Sequence, residues 1–148
     1  MNTKIYMIMG EAGSGKDYLV KNLVQANPDL FNEIISYTTR PKRSNEIDGV
    51  HYHFISVNEF LSMNMLEQTI FNGWYYGTGL NCLVPDKINI GVFNPAGVRS
   101  LLGKSYLTSE VYKLETRPAT RLIRQLSRED NPDINEIFRR YGTDEKDF

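Results

Sequence analysis

The chain alternates short apolar runs with segments whose apolar residues recur at helical spacing. The apolar runs predict strands at 4–9, 32–39, 87–93 and 110–115. The amphipathic segments predict helices at 15–26, 95–104, 118–127 and 134–148. Strands that alternate with helices form parallel sheets through right-handed crossovers. The pattern therefore predicts an α/β fold, with a parallel sheet flanked by helices and a ligand at the carboxyl ends of the strands.

Residues 40–80 follow a different pattern. A polar loop leads into an alternating segment at 50–56, and a short helix is predicted at 57–65. Residues 66–79 predict two short strands joined at Asn72-Gly73, a dipeptide that favours a tight hairpin turn. We therefore predict a core made of 1–39 and 81–148, which carries a small, mainly β insertion at 40–80.

Composition and charge narrow the class of protein. The 148 residues are 41% hydrophobic and 24% charged, which is typical of one soluble domain, and the formal charge of -1 argues against a nucleic-acid partner. Cys82 is the single cysteine, so an internal disulfide is excluded. The first apolar run meets a glycine too early to form a signal peptide or a membrane span. A cytoplasmic protein without a membrane partner is therefore expected.

A glycine-rich loop separates the first predicted strand from the first predicted helix. Its sequence matches the phosphate-binding motif G-x-x-x-x-G-K, and its residues are Gly10, Glu11, Ala12, Gly13, Ser14, Gly15, Lys16 and Asp17. Backbone N–H groups of such a loop converge on phosphate oxygens at the positive end of the helix dipole. We predict a P-loop NTPase-type core in which these residues bind the phosphates of ATP and Lys16 acts in catalysis. The alternative is a glycine-rich turn with a surface lysine.

Asp17 departs from the motif, which has Ser or Thr at this position to hold Mg²⁺ through a hydroxyl. A carboxylate is also a hard oxygen ligand, so we predict that Asp17 binds the Mg²⁺ that accompanies ATP. The alternative is an ordinary first-turn aspartate that stabilises its own helix dipole. Both roles are compatible in one residue.

A second anion site is predicted from 36–54. Arg40 and Arg43, three residues apart on a polar loop, offer forked donors that suit a phosphate dianion. The segment resembles the monophosphate-binding module of guanylate kinases, S-x-T-T-R-x-x-R followed by E-x-x-G-x-x-Y-x-F. The matching residues are Ser36, Thr38, Thr39, Arg40, Arg43, Glu46, Gly49, Tyr52 and Phe54. Downstream, LEQTIFNGWYYGT is similar to the E…GNYYGT segment of the same family.

The resemblance covers most of residues 4–82 and implies roles for particular residues. It implies that the acceptor monophosphate is held by Ser36, Arg40, Arg43, Tyr52 and Tyr76. It also implies that Glu67 and Thr78 meet the base, because a carboxylate accepts from guanine N1–H and N2–H₂ and a hydroxyl can donate to O6. Taken singly, Arg40 and Arg43 would be solvated loop charges, and Glu67 a hairpin surface residue.

One family position differs. Asn94 stands where the family has an aspartate, and an amide replaces a carboxylate poorly as a metal ligand or as an acceptor from guanine. Asn94-Pro95 is also an ordinary helix start. The difference leaves base choice open and favours a broader acceptor range, deoxynucleotides included. The missing acid here and the extra acid at Asp17 suggest one compensated change in metal binding.

A short lid is predicted at about 124–139. Phosphoryl transfer needs positive charge on the migrating group, and Arg128 and Arg139 are the predicted catalytic lid arginines, with Arg124 and Arg140 behind them. Most of the remaining arginines are expected on solvated helix faces. The family usually continues beyond the point matched by Phe148, so the C-terminal end looks shortened. A smaller core, a truncated chain or an edge covered by a second subunit would each explain this, and an unpaired edge mildly favours a homodimer.

These features together predict a nucleoside monophosphate kinase that resembles guanylate kinase. It would transfer the γ-phosphoryl group of ATP to GMP or dGMP with Mg²⁺ as cofactor, so its partners would be small-molecule nucleotides. One alternative is a deoxynucleoside monophosphate kinase with a broader base range. The other is a non-catalytic guanylate-kinase-like binding module, for which Asp17, Asn94 and the short C-terminal end argue weakly.

Overall fold

The computed structural model describes residues 3–127 together with 133, 135, 136 and 139. Its elements, in chain order, are β1 (Thr3–Gly10), α1 (Lys16–Ala26), β2 (Phe31–Glu33), β3 (Tyr37–Thr38), β4 (His53–Phe54), α2 (Val57–Ser62), β5 (Met65–Phe71), β6 (Trp74–Gly79), β7 (Ile88–Val92), α3 (Pro95–Leu102), β8 (Leu107–Leu114) and α4 (Pro118–Ser127). No helix in these ranges is both long enough and apolar enough to cross a bilayer.

The core is a parallel sheet with strand order β2-β7-β1-β8, which confirms the predicted α/β class. β1 lies in the middle, and Ile5 and Met7 on it are fully buried together with Ile90 of β7 and Leu101 of α3. A strand buried on both faces needs the continuous apolar run that the sequence shows here. The loop after β1 therefore starts from a strand whose central residues are fully buried.

A second, smaller sheet has the strand order β4-β3-β6-β5. β3 and β4 are parallel, whereas β5 and β6 form an antiparallel hairpin. The predicted hairpin turn is confirmed: Asn72 has φ 52° and Gly73 has φ 80°. A two-residue turn with two positive φ values matches the twist of the strands, which is why Asn-Gly is favoured there.

The strand predicted at 50–56 is shorter in the structure, where β4 covers His53–Phe54, and two predicted strands of the core sheet also differ from those observed. The run at 32–39 divides, because Ile34 still donates to Ile90 in the core sheet, whereas the Ser36 carbonyl accepts from His53 in the second sheet. β8 begins at Leu107 rather than at 110, since the start of β1 pairs with its first residues. Both differences come from pairing between distant segments, which the local pattern does not contain.

The predicted polar loop after α4 and the predicted terminal helix fall largely outside the described residues. Arg128 and Arg140 lie there too, so their predicted places in a lid stay predictions. Arg139 is described and lies in a helical position. The predicted helix at 118–127 is confirmed as α4.

Candidate functional site

The loop between β1 and α1 has the backbone shape of an anion cradle. Gly13 and Gly15 have φ values of 78° and 97°, which L side chains rarely adopt. The Ser14 N–H donates to the Glu11 carbonyl at 3.0 Å, which closes the turn, and α1 starts directly after it at Lys16. The loop therefore brings backbone N–H groups to the positive end of a helix.

Lys16 and Asp17 occupy the first turn of α1. The Lys16 ammonium lies 3.4 Å from the Glu11 carbonyl oxygen, so the side chain folds back along the loop. Asp17 is exposed. Gly15 occupies the N-cap position of α1 and has no side chain that could cap the helix. A carboxylate in this turn is favoured by the helix dipole and is also accessible to a cation.

Helix α4 packs against the back of the loop. The Thr116 hydroxyl donates to the Ser14 carbonyl at 3.0 Å, and Arg124 donates to the Gly13 carbonyl at 2.9 Å. Arg121 forms an ion pair with Glu11, and its side chain is 5% exposed. Arg121 is therefore an exception to the expectation that most arginines outside the lid lie on solvated helix faces. Its charge partner is distant in sequence, so the local pattern did not indicate this burial.

In the second sheet, Arg40 is held by Glu46. Two guanidinium nitrogens donate to the two carboxylate oxygens at 2.8 and 2.9 Å, and the rings of Tyr52 and Phe54 lie 5.5 and 5.6 Å from the guanidinium carbon. These hydrogen bonds lower the pKa of Glu46 to about 2 and raise the pKa of Arg40. The Arg43 N–H also donates to Glu46, at 2.9 Å. The guanidinium plane is thus fixed before any ligand arrives.

Glu46 is the residue whose role sequence reasoning missed. Glu46 belongs to the motif that resembles the guanylate kinase segment, but no role was predicted for it. An acid three residues after Arg43 on a polar loop could have indicated an ion-pair partner for Arg40. Lys42, on the same loop, donates from its ammonium group to the Glu46 backbone carbonyl at 3.0 Å. The Glu46 carboxylate thus binds Arg40 and Arg43, and its backbone carbonyl binds Lys42.

Tyr52 and Tyr76 come together beside Arg40. Their rings meet edge to face with centroids 5.9 Å apart. Burial raises the pKa of the Tyr52 phenol. Lys21, in the second turn of α1, donates to the Val50 carbonyl at 3.1 Å.

The two residues predicted to read the base lie side by side. Glu67 and Thr78 are opposite each other on β5 and β6, and the Thr78 hydroxyl donates to the Glu67 carboxylate at 2.9 Å. Burial raises the pKa of Glu67 although the Thr78 bond opposes this. A carboxylate in this position is therefore costly to charge unless donors surround it.

Asn94 lies near Glu67, at the N-terminal cap of α3. Its side chain accepts from the Gly97 N–H at 2.7 Å and caps the helix, as the helix-start interpretation predicted. A methyl group built on Gly97 would lie 3.2 Å from the Asn94 side-chain oxygen and 3.4 Å from a Glu67 carboxylate oxygen. The two side-chain oxygens are therefore less than about 7 Å apart. Capping and a place near a ligand are compatible.

Arg139 lies at the far end of the hairpin. Two of its nitrogens donate to Glu136 at 2.6 and 2.8 Å, and the guanidinium carbon is 5.0 Å from the centroid of the Phe71 ring. The Glu136 bonds raise the pKa of Arg139. The Phe71 ring in turn meets the Tyr76 ring edge to face with centroids 6.5 Å apart, so one ring separates Arg139 from the tyrosine predicted to hold the monophosphate.

The histidines do not form a metal site in the part of the chain that the structure describes. His51 accepts from the Ile47 N–H at 3.0 Å, and the His53 ring stacks on Tyr37 with centroids 4.6 Å apart. Over the same residues, no group of three or more His, Cys, Asp or Glu side chains could hold a metal ion. Both histidines therefore serve the local loop and strand packing.

Comparison with known proteins connects these features to one family. Guanylate kinases of Paraburkholderia xenovorans and Pseudomonas fluorescens are 42% and 44% identical over 78 residues, which are 50% of this chain. The chain covers only 34% and 37% of the length of those relatives. The crystal structure of guanylate kinase from Anaplasma phagocytophilum matches 98% of this chain and 73% of that one, with a TM-score of 0.60 and 20% identity, which bears on the fold alone. The family model described as guanylate kinase matches residues 2–84, more than half of the chain, and the chain therefore belongs to the guanylate kinase family.

Proposed function

We propose that this chain transfers the γ-phosphoryl group of ATP to a guanine nucleoside monophosphate, GMP or dGMP. The observation that carries the proposal is the position of α1 between the two predicted anion sites. The helix starts at the glycine loop, and one turn later its Lys21 donates to the Val50 carbonyl of the monophosphate-binding segment at 3.1 Å. Two phosphate groups held on either side of one helix terminus can meet end to end, as transfer requires.

On the donor side, the loop amides and Lys16 would hold the phosphates of ATP. The loop is already shaped by its positive φ values and by its contacts with α4. Preorganised donors of this kind stabilise developing charge without moving during the reaction. Lys16 would spread positive charge over the β- and γ-phosphate oxygens as the bond between them breaks.

The residues around Asp17 fit Mg²⁺. This cation prefers oxygen ligands, keeps several waters and is usually bound by one or two carboxylates together with substrate phosphates. An exposed carboxylate directly after the phosphate loop meets that need, and a cage of several acids is not required. When bound, the ion would offset the charge of the phosphate oxygens and also that of Asp17 itself.

On the acceptor side, Arg40 and Arg43 would bind the monophosphate, with hydroxyl donors from Ser36, Tyr52 and Tyr76. The Glu46 pair supports this proposal because it fixes the Arg40 fork against two rings. Glu46 leaves other guanidinium N–H groups for the phosphate, since Arg has five donors. Arginine side chains held in fixed positions would orient the phosphate oxygen of the acceptor toward the γ-phosphoryl group of ATP.

The base would lie between Glu67, Thr78 and the start of α3. The Glu67 carboxylate can accept from guanine N1–H and N2–H₂, whereas adenine offers no N–H at N1. A buried carboxylate that is left without N–H donors is unfavourable, so a base that lacks these donors binds more weakly. A lid that includes Arg128 and Arg139 would then add positive charge to the migrating group and exclude water.

A broader acceptor range is the second candidate, and Asn94 is the observation that favours it. Its amide lies within about 7 Å of the Glu67 carboxylate, where a second carboxylate would have reinforced the preference for a 2-amino group. With one carboxylate instead of two near the base, a base without the 2-amino group loses less binding free energy relative to guanine. Deoxynucleoside monophosphates belong to the same candidate range.

A coupled assay of ADP release tests both candidates. The chain is incubated with Mg²⁺, ATP and each of a panel of nucleoside and deoxynucleoside monophosphates. We expect turnover with GMP and dGMP, and turnover with several bases would support the broader kinase. Lys16→Ala serves as the catalytic control. Binding of a monophosphate without turnover on any acceptor would contradict both and indicate a binding module.

The remaining expectations concern partners and place in the cell. A homodimer, a cytoplasmic location and the absence of nucleic-acid and membrane partners stay predictions. β8 is the outer strand of the described core sheet, and Val111 and Tyr112 on it are exposed. Sedimentation velocity of the chain at several concentrations tests the homodimer.

A further inference from the structure

The phosphate loop carries an acid at its second position as well as at its last. Glu11 follows Gly10 directly, and Asp17 follows Lys16. Carboxylates repel the phosphates that such a loop binds, and repulsion between like charges is strong where water is partly excluded. The loop therefore needs a compensating cation at each end, and Asp17 has one in the proposed metal.

Arg121 is placed to compensate Glu11. The two side chains form an ion pair, in which the Arg121 side chain is 5% exposed and that of Glu11 is 25% exposed. Arg121 also donates to the Thr116 carbonyl at 3.2 Å, so its guanidinium is held from a second side. A charge this deeply buried persists only with partners of this kind.

The backbone contact at the same point is close. A methyl group built on Gly13 would lie 2.6 Å from the Arg121 carbonyl oxygen, so the loop touches the helix backbone where the ion pair forms. Arg124 and Thr116 add hydrogen bonds to Gly13 and Ser14. One short stretch of chain therefore holds the loop from behind at several adjacent residues.

We propose that Arg121 is a positioning residue of the donor site. Its guanidinium neutralises Glu11 and thereby keeps residues 10–15 against α4 in the shape that accepts a polyphosphate. This inference rests on the proposed function only in assuming that the loop binds ATP. Arg121 itself makes no contact with the nucleotide and acts through Glu11 and the loop backbone.

The Arg121–Glu11 ion pair predicts different effects on ATP binding for the single and the double substitutions. Removing Arg121 alone leaves an uncompensated carboxylate beside the phosphates, whereas removing both charges leaves a neutral loop. A residue that matters only for packing of α4 would give no recovery when Glu11 is also changed. The double substitution therefore separates charge compensation from a structural role.

The experiment measures the affinities of Mg²⁺·ATP and of GMP by calorimetry for the full chain and for Glu11→Gln, Arg121→Met and the double variant. Arg99→Met, an exposed arginine on α3, is the matched control. We expect Arg121→Met to weaken ATP binding by at least about tenfold and the double variant to recover most of that loss. We expect GMP affinity to change less than about twofold in every variant.

Three outcomes would overturn the inference. ATP binding by Arg121→Met equal to wild type, no recovery in the double variant, or equal losses for ATP and GMP would each contradict it. If Arg121→Met fails to fold, the double variant decides, since ATP affinity close to that of wild type supports charge compensation and a loss of about tenfold or more contradicts it. A wild-type chain that binds no ATP overturns the donor site itself, whereas unchanged variants overturn only this inference.

Discussion

The Thr78 hydroxyl donates to the Glu67 carboxylate across the β5–β6 hairpin, at 2.9 Å. The carboxylate faces the start of α3, where a methyl group built on Gly97 would lie 3.4 Å from one of its oxygens. Burial nevertheless raises the pKa of Glu67, so one hydroxyl donor does not offset its loss of hydration. A base with two N–H donors would supply what is missing.

The first prediction is that Glu67→Gln weakens GMP binding by about ten- to a hundredfold, because an amide accepts less strongly than a carboxylate and presents a competing donor. Wild-type affinity should also fall as the pH drops through the raised pKa of Glu67, since the protonated acid no longer accepts both N–H groups. Calorimetric titration at several pH values measures both effects.

The phosphate of GMP titrates near pH 6 in its own right, so Glu67→Gln serves as the internal reference. The difference in pH dependence between the wild type and this variant reports Glu67 alone. Parallel curves with equal affinity would show that the carboxylate does not meet the base.

The second prediction concerns the Arg40–Glu46 pair and stability. Glu46 has a pKa lowered from 4.5 to about 2, so it stabilises the fold above pH 4.5 and loses that contribution as the pH falls toward 2. Glu46→Gln should reduce the free energy of unfolding at pH 7 by up to about 3 kcal/mol. The difference from wild type should shrink between pH 4.5 and 2.

Urea unfolding at pH 7, 4 and 3 measures this difference. Glu115→Gln, an exposed acid, is the matched control and should change stability little. A loss for Glu46→Gln that stays constant down to pH 3 would mean that the charge of Glu46 does not carry its contribution.

The pattern of apolar and polar positions predicted most of the fold, because the central strands β1 and β7 are largely apolar and buried and the main helices each carry an apolar stripe. It predicted the Asn72-Gly73 turn for a local reason, since few residues adopt the positive φ values needed there. It did not predict how 32–39 divides between two sheets. That division depends on pairing with distant segments, Ile90 in one sheet and His53 in the other.

The burial of several polar residues was also not predicted from the sequence. Asn89 is fully buried in β7, where its amide donates to the carbonyls of Lys4 and Val84 and accepts from Asn32. Arg121 is buried through its pair with Glu11. In a sequence, such residues are indistinguishable from surface ones, because their partners come from elsewhere in the chain. Residues with a fixed motif spacing could be named as candidate site residues from the sequence, whereas the residues that hold them in place could not.

The third prediction concerns Asn94. Aspartate caps helices as well as asparagine does, so Asn94→Asp keeps the bond to Gly97 and changes the charge near Glu67. We expect the ratio of kcat/KM for GMP over IMP, which lacks the 2-amino group, to rise by about tenfold or more. Asn94→Ser, which also caps, should leave the ratio near that of wild type. An unchanged ratio in Asn94→Asp would exclude Asn94 from base choice.

The fourth prediction concerns Asp17. If it holds Mg²⁺, Asp17→Asn should raise the Mg²⁺ concentration for half-maximal turnover by about tenfold, because an amide is a weaker ligand. Asp17→Ser should lose less, since a hydroxyl is the usual ligand at this position. If Mg²⁺ dependence is unchanged while thermal stability falls, Asp17 only stabilises α1.

The central claim is that two phosphate-binding sites face each other across the start of α1. A bisubstrate ligand, adenosine and guanosine joined by five phosphates, spans both sites only if they do. Calorimetry should show one such molecule bound per chain, about a hundredfold tighter than ATP or GMP alone, because the second site is engaged intramolecularly. Lys16→Ala and Arg40→Ala should each remove most of that gain. Affinity no better than that of ATP alone would contradict the account.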